Sequence, residues 1–434
     1  MRLKPIGLVS VASALLIPLI WFPPLAQKHD TIALFSQYLG LVALIAMSIT
    51  QIIATRLGFV EVLFGGLDRC YILHKWLGIS SMAALLLHDT IDADMSNLGR
   101  ETVLVEVAET LGEVSLYGFL ILVVITIATF IPYHLWRWTH RVMGVLFVMA
   151  TFHYLFILKP FSNGDPLALY VSAFCTAGIL AFVYKQLPAH WRPSRKYKIS
   201  GIRQTGTAMA VTFSPEGRPL KHRPGQFAFV TFDHATVSEP HPFTISSAPD
   251  DMGNIRMTIA ALGDFSHSLL KELKIGTPAQ LEGPFGRFER RSTQAPEVWI
   301  AAGIGITPFV AWAQALTDAD GPVTLIYCVS EERDASHLEE IRAIEAKLPN
   351  FRCNLHTSRS QGRIGADVIA DYVKDLDQAK AYFCGPKAMR LSLASGLGRF
   401  GLSSRRFHYE EFEIRSGVGL KKLAAALLAK TSVR

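Results

Sequence analysis

Cysteine is scarce in this 434-residue sequence, and no two cysteines have the spacing of a CxxC pair. This scarcity argues against a zinc ribbon, a cysteine-ligated iron–sulfur cluster and a disulfide-stapled fold. The net charge of +7 is not arranged as a basic stripe with interleaved aromatic residues, which argues against nucleic-acid binding. The five cysteines are Cys70, Cys175, Cys328, Cys353 and Cys384.

Charged residues are also rare in the first 190 residues, where the hydrophobic half of the composition is concentrated. From about Arg192 onward the composition is that of an ordinary soluble α/β protein. Each apolar run before that point approaches the ~20 residues that a helix needs to cross hydrocarbon. We therefore predict a transmembrane domain over residues 1–190, with its first run retained as a helix rather than cleaved as a signal peptide. The six predicted spans are 6–25, 32–54, 71–90, 113–131, 141–158 and 166–186.

Basic residues are concentrated on one side of the predicted spans. The positive-inside rule assigns that side to the cytoplasm and places both termini there. The opposite side carries few basic residues and several acids, including Asp92, Asp94 and Glu101. The basic residues of the predicted cytoplasmic side are Arg2, Lys4, Arg56, Arg69, Lys75, Arg137, Arg141, Lys185, Arg192, Arg195 and Lys196.

Four histidines lie in or beside two of these apolar runs. His74 and His88 are fourteen positions apart, and His140 and His153 are thirteen positions apart. Each pair extends roughly 20 Å along its helix, which is too far for one metal ion and suits two. In the predicted topology both spans run outward, so His74 faces His140 at the inner level and His88 faces His153 at the outer level. Because histidine inside a membrane helix is costly and usually functional, we predict two b-type haems, each held by one histidine from each span.

After a basic, proline-containing linker, residues 191–292 predict a small antiparallel β-barrel built from short alternating segments such as Phe227–Phe232. His241-Pro-Phe-Thr-Ile-Ser-Ser is predicted to be extended, with exposed polar side chains. Gly263-Asp-Phe-Ser266 is predicted to begin a helix whose free N–H groups suit a pyrophosphate, although simple capping explains it equally well. Gly283-Pro-Phe-Gly286 is predicted to form a turn.

Residues 293–414 predict a different architecture, in which strands and helices alternate as in a parallel, doubly wound sheet. Val298–Ala302 is predicted to be a buried strand. Gly303-Ile-Gly-Ile-Thr-Pro308 would turn this strand into a helix, with Thr307 as the N-cap and Pro308 in the first turn. Its glycines would let the backbone approach a phosphate. Cys384-Gly-Pro386 ends the last parallel strand, where ligands of such sheets bind.

The order of these soluble motifs resembles the ferredoxin–NADP reductase module. The four-histidine bundle before it, with HKW and WRWTHR around the inner histidines, resembles the ferric reductase and NADPH oxidase superfamily. The resemblance covers about residues 30–414 and is to bacterial NADPH oxidase homologues that lack calcium-binding and regulatory extensions. It implies a protein of the bacterial inner membrane that binds FAD and NADPH.

The same resemblance implies roles for particular residues. Those implied to contact the flavin are His241, Pro242, Phe243, Thr244 and Ser246, with Ser266 at the pyrophosphate and Phe412 as the aromatic residue near the C-terminus. Those implied to contact the nicotinamide nucleotide are Gly303, Gly305, Thr307, Pro308, Cys384, Gly385 and Pro386.

The choice of nucleotide depends on residues that follow two of the predicted strands. Ser358 and Arg359 follow the third strand, and a hydroxyl with a guanidinium suits a 2′-phosphate. Glu331 and Glu332 follow the second strand and would repel that phosphate, although Arg333 is adjacent. The sequence favours NADPH, with NADH as the alternative.

The predicted fold is a membrane all-α six-helix haem bundle followed by a soluble module of a β-barrel FAD domain and a doubly wound α/β NAD(P)H domain. Residues 415–434 form a basic tail, predicted either to lie on a surface as a helix or to be a disordered end. The predicted activity is that of an NAD(P)H oxidase or ferric reductase-like flavocytochrome b.

The acceptor on the outer face is predicted from the coordination of the haem iron. A bis-histidine iron has no open position, so an acceptor must take its electron at the haem edge. Dioxygen is small and apolar, and one electron converts it to superoxide. The acidic outer residues also suit a ferric chelate or a periplasmic redox partner, and both stay open as alternatives.

Overall fold

The chain divides into two compact units after Leu187. The first unit is helical, and the second contains two β-sheets. The computed structural model of the chain describes residues 3–91, 98–127, 131, 133–187, 192–232, 240–261, 266, 269–270, 272–290, 292–373 and 375–410. Phe412, the tail 415–434 and residues 263–265 lie outside this part, so what the sequence predicts for them stays a prediction.

Eight α-helices form the described part of the first unit. They are α1 (Pro5–Leu16), α2 (Phe22–Ala26), α3 (Thr31–Ala54), α4 (Gly58–Phe64), α5 (Leu67–Thr90), α6 (Val103–Ile127), α7 (Tyr133–Phe156) and α8 (Pro166–Gln186). α3 packs on α5 and on α8, and α6 packs on α7. The two helices that carry the four histidines, α5 and α7, therefore each lie against a helix that carries none.

Five segments of the described chain are long and apolar enough to cross a membrane, where the sequence predicted six. The five are Pro5–Ala26, Thr31–Ala54, Leu67–Thr90, Val103–Thr126 and Pro166–Gln186. The remaining predicted span, 141–158, lies in α7, whose 24 residues are long enough to cross. α7 contains His140 and His153 as well as Arg137 and Arg141, and together these polar residues lower its hydropathy below that of the five apolar segments.

The first span contains a break that its prolines explain. Pro18 lacks the N–H that would donate to the Ala14 carbonyl, and Ile17–Trp21 forms a 3-10 turn between α1 and α2. The Tyr170 hydroxyl on α8 donates to the Ala14 carbonyl at 3.0 Å instead. The backbone acceptor freed by Pro18 is thus satisfied inside the apolar unit, as it must be in hydrocarbon.

α6 starts earlier than the predicted span 113–131. The Val105 N–H donates to the Thr102 hydroxyl at 3.4 Å, and Glu106 in the first turn is favoured by the helix dipole. Glu106 and Glu109 fall between the predicted spans 71–90 and 113–131, and the structure places both in α6.

The second unit begins with a six-stranded antiparallel sheet in the order β4-β3-β6-β1-β2-β5. Its strands are β1 (Arg195–Thr205), β2 (Ala208–Pro215), β3 (Phe227–Phe232), β4 (His241–Thr244), β5 (Ile255–Ala260) and β6 (Pro278–Phe285). An antiparallel bridge between Ile245 and Met257 links the two edges, which closes the sheet into the predicted barrel. The turn predicted at 283–286 is wrong, because β6 pairs with β3 both at Glu282 and at Phe285, with a register shift between these two residues.

The rest of the unit is a five-stranded parallel sheet in the order β11-β10-β7-β8-β9, which confirms the doubly wound prediction. Its strands are β7 (Glu297–Ala302), β8 (Val323–Val329), β9 (Phe351–Thr357), β10 (Lys380–Cys384) and β11 (Phe407–Glu410). Its helices are α9 (Thr307–Gln314), α10 (Leu338–Glu345), α11 (Ser358–Gln361), α12 (Ala366–Tyr372) and α13 (Lys387–Arg399). Helices cover both faces, so central strands such as Val298–Ala301 are fully buried.

Candidate functional site

The structure brings the four predicted histidines together as two pairs. The ring centroids of His74 on α5 and His140 on α7 are 6.2 Å apart, with the ring planes inclined at 56°. The rings of His88 and His153, on the same two helices, are close enough to interact electrostatically. This is the cross-pairing that the spacing predicted.

Each histidine is held by a hydrogen bond at Nδ1 from a neighbouring helix. On α3, the Thr50 carbonyl lies 3.1 Å from Nδ1 of His74, and the Ser36 carbonyl lies 2.8 Å from Nδ1 of His88. On α6, the Ala108 carbonyl lies 2.9 Å from Nδ1 of His153, and the Thr126 hydroxyl oxygen lies 3.5 Å from Nδ1 of His140.

These contacts decide which ring nitrogen carries the proton. A carbonyl oxygen can only accept, so Nδ1 of His74, His88 and His153 must be the protonated donor. The Thr126 hydroxyl donates to the Leu122 carbonyl at 2.8 Å, so its oxygen is likewise the acceptor toward His140. A neutral imidazole protonated at Nδ1 presents the lone pair of Nε2, as metal-ligating histidines with a fixed outer partner do.

Two glycines and one aromatic side chain pack directly against the histidine rings. A Cβ added at Gly40 on α3 would lie 3.2 Å from Nε2 of His88. A Cβ added at Gly112 on α6 would lie 2.5 Å from Nδ1 of His153. The Trp136 ring stacks on His140 with centroids 5.0 Å apart. Sequence reasoning missed these three residues, although glycine inside a long apolar helix is a usable signal.

Among the described residues there is no group of three or more histidine, cysteine or acidic side chains placed to hold a metal ion. Two histidines suffice where a porphyrin supplies the remaining ligands to iron. The residues present therefore fit haem, and His74, His140, His88 and His153 would be its ligands.

The stretch predicted to contact the flavin forms the barrel's edge strand β4 and the residues after it. His241 and Phe243 are partly buried, Pro242 is exposed and Thr244 is buried. Ser246 is fully buried, and its hydroxyl lies 2.8 Å from the Thr258 hydroxyl rather than pointing to solvent. Ser266 has helical backbone and is partly buried.

The two loops predicted to contact the nucleotide meet at the carboxyl end of the parallel sheet. A Cβ at Gly305 would clash with the Cys384 carbonyl and lie 3.2 Å from its Sγ. A Cβ at Gly385 would lie 2.7 Å from that of Ala302. Glycine is needed at both positions for the loops to approach so closely, and Gly303 has a φ of 55°.

The helix start after this loop differs in detail from the prediction. A 3-10 turn over Gly303–Ile306 precedes α9, and Pro308 lies in its first turn as predicted. The Thr307 hydroxyl donates back to the Ile304 carbonyl at 3.1 Å, so its side chain caps no amide, contrary to the prediction. The Thr307 N–H donates to the Ile304 carbonyl and Pro308 has no N–H, so neither residue offers a free backbone amide at this helix start.

A buried acid that sequence reasoning missed lies beside Cys384. Glu410 on β11 is in register with Cys384 on β10 and is 7% exposed. Burial, reinforced by the charge of Glu410, raises the pKa of the Cys384 thiol well above its usual value. Cys384 is therefore a neutral thiol at the strand end. Two residues further on, Pro386 is the N-cap of α13.

The residues considered for nucleotide choice lie together at the ends of β8 and β9. Arg359 pairs with Glu331, and the Nε of Arg333 lies 2.8 Å from the same carboxylate. The Arg359 N–H donates to the Ser330 carbonyl at 3.1 Å, which joins the two strand ends. Two arginines therefore offset the charge of Glu331, one of the two acids expected to repel a 2′-phosphate. Ser358 is the first residue of the adjoining helix α11.

Three sequence families match consecutive stretches of the chain. Residues 39–151 match the family described as "Ferric reductase like transmembrane component". Residues 195–295 match an "FAD-binding domain", and residues 299–393 match an "Oxidoreductase NAD-binding domain". In this order they form the architecture of ferric reductase and NADPH oxidase-type proteins. The chain is an integral membrane protein that carries the cofactor domains of an NAD(P)H oxidoreductase.

Individual relatives share about half of this chain. A flavohemoprotein of Pseudomonas putida is 27% identical over 51% of this chain and 60% of its own length. The toluate 1,2-dioxygenase electron transfer component of Pseudomonas putida is 28% identical over 49% of this chain and 66% of its own length. This chain thus spans less than two thirds of these relatives. Among solved structures, the FAD/NAD-binding domain of a Vibrio cholerae nitric oxide dioxygenase is 22% identical, covering 51% of this chain and 99% of that domain, with a TM-score of 0.46.

Proposed function

We propose that the chain transfers electrons from cytoplasmic NADPH across the membrane to dioxygen on the outer face, producing superoxide. FAD would supply the conversion of a hydride from NADPH into single electrons, and His74, His140, His88 and His153 would hold two b-type haems that supply electron transfer through the hydrocarbon region. The strand β4 would hold the flavin, and the loops at Gly303–Thr307 and Cys384–Pro386 would hold the nucleotide. α7 would cross the membrane with the five apolar spans, so that His140 and His153 reach the two levels.

The observation that carries this proposal is the shared arrangement at Nδ1 of the four histidines. Each Nδ1 has an acceptor on α3 or α6, so each ring is fixed with Nε2 as the ligand nitrogen. Core histidines with a purely structural role have no reason to share one tautomer at two levels of two helices. The arrangement supports two metal centres, stacked along α5 and α7, that need only two protein ligands each.

Lys159 favours dioxygen over a cationic acceptor at the His88–His153 level. It follows the end of α7, and its ammonium donates to the carbonyls of Tyr154 at 2.8 Å and Leu155 at 3.2 Å. Its charge is close enough to act on the His153 ring. A fixed cation stabilises an anion that forms nearby, and it repels a metal cation. One-electron reduction of dioxygen forms such an anion.

The test is NADPH-driven reduction of added cytochrome c in air by the purified, haem-loaded chain, with and without superoxide dismutase. We expect the dismutase to abolish most of the rate. If the dismutase leaves the rate unchanged while ferric chelate is reduced equally fast under argon, the oxidase proposal fails and a metal reductase replaces it. Reduction only of an added periplasmic redox protein would instead support an electron-donor role.

A further inference from the structure

A polar network, here called the Glu340 network, joins the barrel to the nucleotide domain. Its members are Glu340, His337, Arg256 and Gln314. Nδ1 of His337 lies 2.8 Å from Oε2 of Glu340. Arg256 on β5 donates to Oε1 of Glu340 at 3.0 Å, and the Gln314 side-chain amide donates to the same oxygen. The Glu340 carboxylate on α10 thus contacts the barrel through Arg256. Within the nucleotide domain it contacts Gln314 on α9 and His337, which precedes α10.

His337 is held in an unusual position within this network. It precedes α10 with a φ of 60°, a conformation that non-glycine residues rarely adopt, and its side chain is fully buried. Its backbone N–H donates to the Thr205 hydroxyl of the barrel at 2.6 Å. Its Nε2 lies 2.7 Å from the hydroxyl of Thr258, another barrel residue. The left-handed backbone directs both groups of His337 into the barrel.

The protonation states of the network follow from its partners. Burial by itself would raise the pKa of Glu340, but hydrogen bonds from His337 and Arg256 outweigh it and hold the pKa at about 2. Burial lowers the pKa of His337, so that its ring is neutral at pH 7. An ionised carboxylate only accepts, so Nδ1 of His337 carries the proton and Nε2 accepts from Thr258. The contacts from Glu340 to Arg256 and from His337 to Thr258 are therefore hydrogen bonds of defined direction, and Arg203 on β1 adds an ion pair with Glu340 at 3.8 Å.

Both ends of the network reach residues that the proposed function uses. Arg256 donates to the Ser246 carbonyl at 3.1 Å through Nε and at 2.5 Å through a terminal nitrogen, and Ser246 follows β4 in the stretch that would hold the flavin. Gln314 is the last residue of α9, which starts at the nucleotide loop. Its side-chain oxygen accepts from the Ala248 N–H at 2.7 Å. The network therefore links the flavin stretch to the helix of the nucleotide loop.

We infer that Glu340, with His337 and Arg256, is a positioning residue for hydride transfer from the nicotinamide to the flavin. This inference rests on the proposed function. Hydride transfer needs its reacting atoms about 3–3.5 Å apart, and a displacement of about 1 Å costs on the order of 100-fold in rate. The three side chains act without touching either cofactor, because they fix the position of the barrel, which would hold the flavin, relative to the nucleotide domain.

The test compares two substitutions that each remove one carboxylate charge from α10. Glu340→Gln removes the charge that pairs with Arg256 and places an amide N–H donor opposite the Nδ1–H of His337. Glu345→Gln is the matched control, because Glu345 contacts Arg342 at 2.7 Å and the Cys353 N–H at 3.0 Å, both within the nucleotide domain. Flavin reduction is followed by anaerobic stopped flow with NADPH and with NADPH deuterated at the transferred position, on the full chain loaded with FAD.

We expect Glu340→Gln to lower the limiting rate of flavin reduction roughly 10-fold or more, with an increased deuterium isotope effect and an NADPH dissociation constant within about twofold of wild type. Glu345→Gln should leave the limiting rate, the isotope effect and the NADPH dissociation constant at their wild-type values. Arg256→Lys keeps the charge but loses the two-nitrogen contact to the Ser246 carbonyl, and it should give an intermediate rate of flavin reduction. This variant tests the inference if Glu340→Gln does not fold.

An unchanged limiting rate in Glu340→Gln, with loss only of thermal stability or of FAD content, would show a purely structural network and overturn the inference. Equal losses in Glu340→Gln and Glu345→Gln would overturn it as well. A wild-type chain whose bound flavin is reduced by neither NADPH nor NADH would instead overturn the proposed function itself.

Discussion

The hydroxyl oxygen of Ser36 lies 2.9 Å from Nδ1 of His88, and the hydroxyl donates to the backbone carbonyl of His88 at 3.0 Å. The Ser36 carbonyl also lies 2.8 Å from the same Nδ1. Ser36 and Thr50 are fourteen positions apart on α3, as their partners His88 and His74 are on α5. α3 thus acts as a rigid support that fixes both histidines of the neighbouring helix.

The first prediction concerns the ligand assignment. His88→Ala should lose one of two haems per chain and stop electron transfer to the outer acceptor, because the His88–His153 pair then lacks one axial ligand. NADPH-driven reduction of a soluble dye should persist, since the flavin and nucleotide sites lie in the other unit. Haem per chain is measured by the pyridine haemochrome method.

The control is His29→Ala, which removes a histidine that lies before α3 and outside the two pairs. It should retain both haems. Two haems and normal transfer in His88→Ala would refute the assignment of His88 as a ligand.

The histidine pairs could be predicted from sequence because two independent signals agree there. Their spacing along apolar segments fixes two levels, and the charge bias gives both helices the same direction. The doubly wound sheet was likewise predictable, since its strands are continuous apolar runs, each followed by a helical segment. Both features depend only on periodicity and on position along the chain.

The helix starts and the supporting contacts could not be predicted in this way. Thr102 extends α6 beyond its apolar core through a local hydrogen bond, which no hydropathy average registers. The contact between Ser36 and His88 depends on how α3 packs on α5. The left-handed conformation of His337 is favoured only by the tertiary contacts it makes.

The second prediction concerns the potential of the haem held by His88. Ser36→Ala removes one of the two acceptors at Nδ1, so the imidazole donates less electron density to iron. The midpoint potential of that haem should rise by roughly 20–60 mV, given about 0.5–1.5 kcal/mol for a hydrogen bond and 59 mV per tenfold for one electron. Redox titration followed by optical spectra measures it.

Ser48→Ala is the matched control for this titration. Its hydroxyl is buried on the same helix and donates to the Leu44 carbonyl at 2.8 Å. Both midpoint potentials should stay at their wild-type values in that variant. A shift of equal size in Ser48→Ala, or none in Ser36→Ala, would contradict a role for the Ser36 hydroxyl.

The third prediction concerns acid stability of the nucleotide domain. Burial would raise the pKa of Asp320, but hydrogen bonds from Ser292, Thr317 and Arg290 outweigh it and hold the pKa at about 2. Because this pKa is depressed, the stabilisation is complete above the ordinary aspartate value and is lost as pH falls toward 2. Asp320→Asn should lower the free energy of unfolding by about 1–3 kcal/mol at pH 7 and weaken its decline in acid.

Thermal unfolding of the full chain at several pH values, followed by tryptophan fluorescence, measures this. Asp318→Asn, at an exposed position two residues earlier, is the control and should leave the stability and its pH dependence unchanged. An Asp320→Asn variant as stable as wild type at pH 7 would show that these contacts contribute nothing net.

The fourth prediction concerns nucleotide selectivity at the ends of β8 and β9. Arg359 and Arg333 are held beside one carboxylate, Glu331, yet their side chains are 74% and 77% exposed and so accessible to a 2′-phosphate. Arg359→Ala should raise the KM for NADPH roughly 10-fold, the effect of one charge-assisted hydrogen bond, and leave the KM for NADH within about twofold. Glu331→Gln should act in the opposite direction, because it removes the negative charge that lies beside both arginines.

Arg363→Ala, which changes an exposed arginine just beyond α11, is the control and should change neither the KM for NADPH nor the KM for NADH. Steady-state kinetics with both nucleotides measures all three variants, and a wild-type kcat/KM that is higher for NADH than for NADPH would overturn the assignment of these arginines to a 2′-phosphate.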